Sequence, residues 1–347
     1  MSGLRIESTR GDLVESVHRV SAAVVDGQGR TVAATGNPAL VTFWRSAAKP
    51  FQAMPLVADG AADRFDIPDD ELALCCASHS SEPLHLALAE RLLARIAVGE
   101  EELACGPHVP LSPAVADRVA REGIAMTPRW NNCSGKHAGM LALCRHHGWP
   151  SAGYTGVGHP AQRRILASVS CWTDVAQACI GLGVDGCTAI SFALPLRAMA
   201  TAYARLGAAR DGAAARVRAA MLAHPDVVAG SGRPCTDVMR AWPGEVLAKA
   251  GADGVYGAAL PGLGLGLALK VEDGDGSAAP VALIAVLREL LGHGPAAEAD
   301  QAPLPAGLGG HAGPAILNTR GAAVGVLRAV GGLRFSGVAP RARGTAR

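Results

Sequence analysis

Ser46 and Lys49 stand three positions apart, a spacing that lets a serine and a lysine act as nucleophile and base. A serine hydroxyl is a poor nucleophile until a neighbouring group takes its proton. A lysine can take it only when burial or a second cation keeps its amine neutral. The same residues also fit an N-cap serine followed by a solvated first-turn lysine, so the pair alone leaves both interpretations open.

The elements that must position these side chains form three blocks along the chain: strands, a long helical region and strands again. This order predicts a mixed α/β (α+β) fold, with one antiparallel sheet interrupted by a helical insertion. We expect a single domain over 1–347, with a sheet lobe at about 10–50 and 245–335 and a helical lobe at about 51–244. The tail at 339–347 is expected to be disordered.

Periodicity assigns the individual elements. The apolar run at 281–291 is predicted as a strand, with a helix as an equal alternative because periodicity does not separate the two. The predicted strands are 17–23, 30–35, 254–256, 265–271 and 281–291, and the predicted helices are 71–77, 83–96, 113–122, 135–147, 160–170, 195–206 and 212–224.

Composition excludes several classes of protein. The net charge is +2 and no basic cluster is interleaved with aromatic residues, so nucleic-acid binding has no support. No apolar stretch is long enough to span a membrane. The nine cysteines, in a chain whose start lacks a signal-peptide pattern, predict a reduced, cytoplasmic protein.

Lys249-Ala250-Gly251 stands where the strand pattern returns. A Lys-x-Gly on a sheet strand is the third element of sites that begin with S-x-x-K, as in the serine β-lactamases. The arrangement resembles a β-lactamase-like fold, in which the site lies in the crevice between the two lobes.

Longer runs of sequence resemble one enzyme family. The run 131–140, N-N-C-S-G-K-H-A-G-M, is far more specific than the S-x-x-K spacing. With the other runs it resembles the rhizobial-type L-asparaginases, or asparaginase II family, which are similar in fold to serine β-lactamases and serine-dependent glutaminases. The resemblance extends from about residue 10 to about residue 335. The other runs are 45–52, 76–82, 105–108, 153–154, 158–160, 183–187 and 249–254.

The resemblance implies two Ser–Lys pairs, Ser46 with Lys49 and Ser78 with Lys249. Ser46 would form an acyl-enzyme on the side-chain carboxamide of L-asparagine, and Lys49 would take its proton. Ser78 would relay protons to the leaving nitrogen, so that the products are L-aspartate and ammonia. The backbone N–H of Ser46 is a candidate oxyanion donor.

The resemblance also implies a zinc site of Cys133, Lys136 and Cys187, with Asp185 close by, and a homodimer. We expect this zinc to shape the substrate loop rather than to activate water, because Ser46 already supplies a nucleophile. For substrate binding, Arg45 and Lys136 are the candidate partners of the α-carboxylate and Asp185 is the candidate partner of the ammonium. His137 is the one histidine expected in the pocket.

Two other functions stay open at this point. A glutaminase, or another β-lactamase-fold serine hydrolase, would use the same residues. L-Asparagine and L-glutamine differ by one methylene, and a pocket wall can favour one of them over the other by only about 1–3 kcal/mol. A zinc-binding or amino-acid-binding protein without turnover is the third reading, although two complete Ser–Lys pairs argue against it.

Overall fold

The computed structural model describes residues 3–292 and 303–337 of the chain. Helices make up 44% of it and strands 22%, which confirms the mixed α/β class. Within these residues no helix is both long enough and apolar enough to cross a membrane. The predicted disordered tail at 339–347 lies outside the described residues.

The regular elements of the described residues follow in chain order. The strands are β1 (Arg5–Arg10), β2 (Leu13–Asp26), β3 (Thr31–Thr35), β4 (Val41–Phe43), β5 (Gly181–Val184), β6 (Ile190–Pro195), β7 (Leu247–Ala250), β8 (Val255–Leu260), β9 (Leu265–Val271), β10 (Ala315–Leu317), β11 (Ala323–Val330) and β12 (Arg334–Phe335). The helices are α1 (Lys49–Ala58), α2 (Ala61–Arg64), α3 (Asp69–Cys75), α4 (Pro83–Arg95), α5 (Pro113–Glu122), α6 (Ser134–His147), α7 (Pro160–Thr173), α8 (Leu196–Ala208), α9 (Gly212–Ala223), α10 (Pro225–Val228), α11 (Pro234–Ala241), α12 (Ala278–Leu290) and α13 (Gly309–Ala312).

The chain forms two compact units. The first takes the described residues up to Thr42, the segment Leu194–Ala208 and the described residues from Asp237 onward. The second takes Phe43–Ala193 and Ala209–Thr236. The site residues predicted from the sequence belong to the second unit, except Lys249.

The first unit contains an antiparallel sheet built from both ends of the chain, as predicted. Among the described residues its strand order is β10-β11-β1-β2-β9-β8-β7, with β3 paired to β2 and β12 paired to β3. Every β2 residue from Val20 to Val25 is buried, and all of them except Ser21 are apolar, so this part of the strand does not alternate between apolar and polar residues. Helix α8 packs closely on β9, where a Cβ at Gly266 would lie 2.0 Å from the Ala200 carbonyl oxygen.

The predicted strand at 281–291 is wrong, and the helical alternative is correct. Residues Ala278–Leu290 form α12, which is buried on nearly all sides. A helix without an exposed face shows no amphipathic period, so its sequence resembles that of a buried strand. Asp275 fixes the start of the helix, because its carboxylate accepts the backbone N–H groups of Ser277 and Ala278.

The second unit is mainly helical. Helix α1 packs against α6, α7 and α9, and α3 packs against α6. The approach of α3 to α6 depends on Gly135, where a Cβ would lie 2.3 Å from the Leu74 carbonyl oxygen. Strands β5 and β6 pair as an antiparallel hairpin. This packing brings the starts of α1 and α6 and the hairpin loop at 185–189 to the candidate site.

Candidate active site

Ser46 lies in a single 3-10 turn, Arg45–Ala48, that connects β4 to α1. The Trp44 N–H donates to the Phe192 carbonyl at 2.8 Å, and the Trp44 ring stacks on Phe51 with centroids 4.7 Å apart. These contacts anchor the chain immediately before Ser46. Ser46 itself is half-buried.

Lys49 is fully buried at the first position of α1, so the alternative of a solvated lysine is wrong. Its Nζ donates to Ser78 Oγ at 3.0 Å and to the carbonyls of Ala77 and Asn132 at 2.5 and 3.4 Å. These three acceptors fix the position of Nζ between Ser78 and the two backbone carbonyls. The structure therefore joins Lys49 to the second serine, while the backbone N–H of Lys49 bonds to the Ser46 carbonyl.

The loop that precedes α6 and the first turn of this helix carry two of the residues predicted to bind zinc, Cys133 and Lys136. Asn131 shapes it, since its Oδ1 accepts the Cys133 N–H at 2.9 Å and its Nδ2 donates to the Cys105 carbonyl at 3.0 Å. One turn into α6, Lys136 Nζ donates to Cys187 Sγ at 2.9 Å. Cys187 stands in the hairpin loop between β5 and β6, so two distant segments meet here.

The two thiols form a strongly coupled buried pair with Lys136. A hydrogen bond from Cys187 lowers the pKa of Cys133 well below its usual range against the opposing effect of burial, and Lys49 and Lys136 add to the lowering. The same bond and burial raise the pKa of Cys187. Burial alone would lower the pKa of Lys136, but Cys133, Cys187 and Asp185 raise it above its ordinary value.

This donor set fits a zinc ion chemically. Two sulfur ligands and one nitrogen ligand leave a fourth tetrahedral position open. The lowered pKa of Cys133 favours its thiolate form, while Cys187 and Lys136, whose pKa values are raised, would each have to lose a proton. Among the described residues, no three side chains of the types His, Cys, Asp and Glu come together as a metal site, so the lysine would be an essential member.

Arg45 and Asp185 form an ion pair beside Ser46, with Arg45 Nε 2.9 Å from Asp185 Oδ1. Burial would raise the pKa of Asp185, but the charges of Lys136 and Arg45 lower it below its ordinary value. Arg45 has a left-handed backbone with φ of 52°, a conformation that costs a non-glycine residue about 1–2 kcal/mol. The ion pair holds the side chain of this strained residue in place.

His137 is buried one position after Lys136, and its Nδ1 lies 2.6 Å from the Tyr154 hydroxyl. Burial, followed by the charges of Lys136 and Lys49, lowers the pKa of His137 well below its usual range. The imidazole is therefore neutral. The Tyr154 hydroxyl also accepts the Ala104 N–H at 2.9 Å, so its own proton is directed to the imidazole.

Lys249 belongs to the first unit, where it is buried on β7 and donates from Nζ to the Ala250 carbonyl at 2.9 Å. Its pairing with Ser78 stays a prediction.

Sequence reasoning assigned no role to Asn132, Tyr154 or His79. Asn132 was visible as part of a specific run, but only the fold shows that its carbonyl accepts from Lys49. Tyr154 lies seventeen positions after its partner His137, and no periodic pattern connects the two. Loop contacts of this kind have no signal in the spacing of residues.

Fold and site together describe a mixed α/β protein with a buried lysine–serine contact beside a second, more accessible serine. The sequence model of the L-asparaginase II family matches residues 6–329, and the chain belongs to this family. A search of curated proteins found no match. Family membership supports an amidohydrolase that acts on a small-molecule amide.

Proposed function

We propose that this protein hydrolyses L-asparagine to L-aspartate and ammonia through an acyl-enzyme on Ser46. The observation that carries the proposal is the buried contact of Lys49 Nζ with Ser78 Oγ. Lys49 also stands three positions after Ser46 in the chain. A buried lysine that bonds one serine and follows another is an arrangement suited to proton transfer during acyl transfer. Membership of the L-asparaginase II family supports the amide substrate.

In the proposed reaction, Ser46 Oγ attacks the carboxamide carbon of the substrate. Its proton passes to the Lys49–Ser78 pair, and Ser78 delivers a proton to the leaving nitrogen as the C–N bond breaks. Ammonia leaves, and water then attacks the ester and releases aspartate while the proton returns to Ser46. The Ser46 N–H would stabilise the developing oxyanion. Lys249 is the proposed second partner of Ser78.

The Arg45–Asp185 ion pair is the proposed anchor for the zwitterionic end of the substrate. An amino acid carries one carboxylate and one ammonium, so it can bind both partners without leaving either charge unpaired. Before any metal binds, Lys136 offers a second positive charge for the carboxylate, and the neutral His137 is the proposed further pocket member. Binding there would place the side-chain amide toward Ser46.

We further propose that zinc binds Cys133, Lys136 and Cys187, beside Asp185. When bound, the ion would hold the loop 131–136 to the hairpin loop at 185–189 and supply a positive charge near the substrate. Ser46 remains the nucleophile, so the role of these three side chains is to fix the pocket. We propose a homodimer as the assembly, which light scattering of the purified protein would test.

The decisive experiment measures ammonia release from L-asparagine and L-glutamine in parallel, with the wild-type protein and with Ser46→Ala. Release from asparagine that disappears in Ser46→Ala supports the proposal. Faster release from glutamine would favour the glutaminase reading. Binding of an amino acid without release from either amide would favour the non-catalytic reading.

A further inference from the structure

The segment Ser78–Glu82 is bound on one of its sides by the chain around residue 228. The Ser78 N–H donates to the Val228 carbonyl at 2.9 Å, and Ser80 Oγ donates to the Ala229 carbonyl at 2.8 Å. Ser78 and Ser80 thus bond to the same neighbouring segment. Other residues of the segment bond to the loop that precedes α6.

The odd-numbered residues bond to that loop. His79 Nε2 lies 2.9 Å from Ser134 Oγ, and the His79 N–H donates to the Asn132 carbonyl at 3.2 Å. Ser81 Oγ donates to the Trp130 carbonyl at 2.7 Å. Because Ser78 bonds Lys49, these bonds connect the serine–lysine contact to the loop that carries Cys133 and leads to Lys136 in α6.

The hydrogen bonds fix which nitrogen of His79 carries the proton. The Ser81 N–H donates to His79 Nδ1 at 3.2 Å, so Nδ1 is an acceptor and has no proton. Nε2 is then the protonated nitrogen and donates to Ser134 Oγ. The ring is fully buried and stacks on His85 with centroids 5.1 Å apart. Burial, His85 and Lys49 each lower the pKa of His79, so the ring stays neutral.

We propose that His79 is a positioning residue: its Nε2–H holds Ser134, and with it the loop 131–134, in register with Ser78. The Asn132 carbonyl accepts from both Lys49 Nζ and the His79 N–H, so a shift of the loop removes one of the three acceptors of Lys49. His79 therefore acts on the reaction through Lys49 without touching the substrate. Its effect on turnover rests on the proposed function.

Two substitutions of His79 distinguish the role of Nε2 from that of Nδ1. The amide nitrogen of glutamine reaches the position of Nε2, whereas asparagine reaches only that of Nδ1. We expect His79→Asn to lower kcat about tenfold, the effect of one lost buried hydrogen bond, with KM changed less than about twofold. His79→Gln should retain most of kcat. Equal losses, or a larger loss in His79→Gln, would overturn the proposal.

A double-mutant cycle tests the Nε2 bond directly. If His79 acts through Ser134, the variant that combines His79→Asn with Ser134→Ala loses no more kcat than the worse single variant. Ser80→Ala is the matched control, since Ser80 is equally buried in the same segment but bonds to the other side. The loss of kcat caused by Ser80→Ala should add to the loss caused by Ser134→Ala. Additive effects of His79→Asn and Ser134→Ala would contradict the proposal.

A spectroscopic readout does not depend on turnover. Nitrogen NMR of the labelled wild-type protein should show His79 with a bare Nδ1 and a protonated Nε2 that do not titrate near neutral pH. A protonated Nδ1 would overturn the inference. If the wild type releases no ammonia from any amide, the proposed function fails, and the NMR signal and a cycle in unfolding free energy still decide the role of His79.

Discussion

The Nζ of Lys49 lies 3.0 Å from Ser78 Oγ, a contact between residues twenty-nine positions apart. The spacing in the sequence pairs Lys49 with Ser46 instead. Both statements hold, because Lys49 follows Ser46 at the start of α1 while its side chain extends inward to the segment 78–82. The backbone of Lys49 thus adjoins Ser46, and its side chain contacts Ser78.

Ser46→Ala is expected to lower kcat for asparagine by about a thousandfold or more, because no other group forms the acyl-enzyme. Ser78→Ala should be less damaging, since it removes a relay and not the nucleophile. Steady-state ammonia assays measure both, and thermal unfolding checks that each variant is folded. Near-normal turnover in a folded Ser46→Ala protein would move the nucleophile to Ser78.

Lys49→Met is expected to be almost as damaging as Ser46→Ala. Methionine fills a similar volume but leaves Ser78 Oγ and the carbonyls of Ala77 and Asn132 without their donor. Residual kcat/KM should lose the pH dependence that a lysine base imposes. A pH profile of the same shape as that of the wild type would show that another group is the base.

Zinc removal is expected to raise KM more than it lowers kcat, since the metal residues would shape the pocket. Binding should weaken as pH falls, because Cys187 and Lys136, whose pKa values are raised, must each lose a proton. Elemental analysis should find zinc in wild type and less in Cys133→Ala. Cys144→Ala is the control, a buried thiol on α6 outside the set. Equal zinc in all three proteins would refute the site.

Glu289 is expected to make the first unit less stable as pH rises. Burial raises its pKa from 4.5 to about 7, although the Leu333 N–H donates to it and opposes the shift. The folded state therefore holds the proton more tightly than the unfolded state. The stability from this group is complete below pH 4.5 and is lost as pH rises through about 7.

Glu289→Gln keeps an acceptor for the Leu333 N–H and removes the titration. Denaturant unfolding at about pH 5 and about pH 8 should show a smaller pH dependence in the variant, which should be the more stable protein at the higher pH. If the unfolding free energy changes between the two pH values as much in Glu289→Gln as in the wild type, Glu289 is ionised at no cost in the folded protein.

Gly135→Ala is expected to destabilise the second unit by about 1–3 kcal/mol, because its Cβ would meet backbone that cannot move aside. The Leu74 carbonyl oxygen would lie 2.3 Å away. Gly158→Ala is the matched control, since a Cβ there meets nothing within 4 Å and its φ is not positive. Equal unfolding free energies for the two variants would show that α3 and α6 separate easily.

The sequence predicted elements best where one face is polar. Helix α5 begins and ends where its amphipathic period does. Strand β9 also matches the predicted strand at 265–271, although it is buried at every residue except Lys270. The prediction from the sequence failed at α12, because burial on nearly all sides removes the period that distinguishes a helix from a strand.

For the site, the sequence indicated residue types and the fold supplied the partners. Cys133 and Lys136 share a short run, so their proximity was predictable, whereas the contact of Lys136 with Cys187 depends on a hairpin fifty-one positions away. The resemblance to a family predicted that meeting. The chain of bonds from Ser78 through His79 to the loop could not be predicted, because it consists of side chain to loop contacts without a repeating spacing.

The left-handed backbone of Arg45 limits how this chain can change. Glycine at this position would relieve the backbone, but it would lose the bond to Asp185 that lies 140 positions away. A neutral residue at 185 would leave Arg45 strained and without its bond to this carboxylate. A substitution at only one of the two positions is therefore costly, so we expect positions 45 and 185 to be substituted together in related chains.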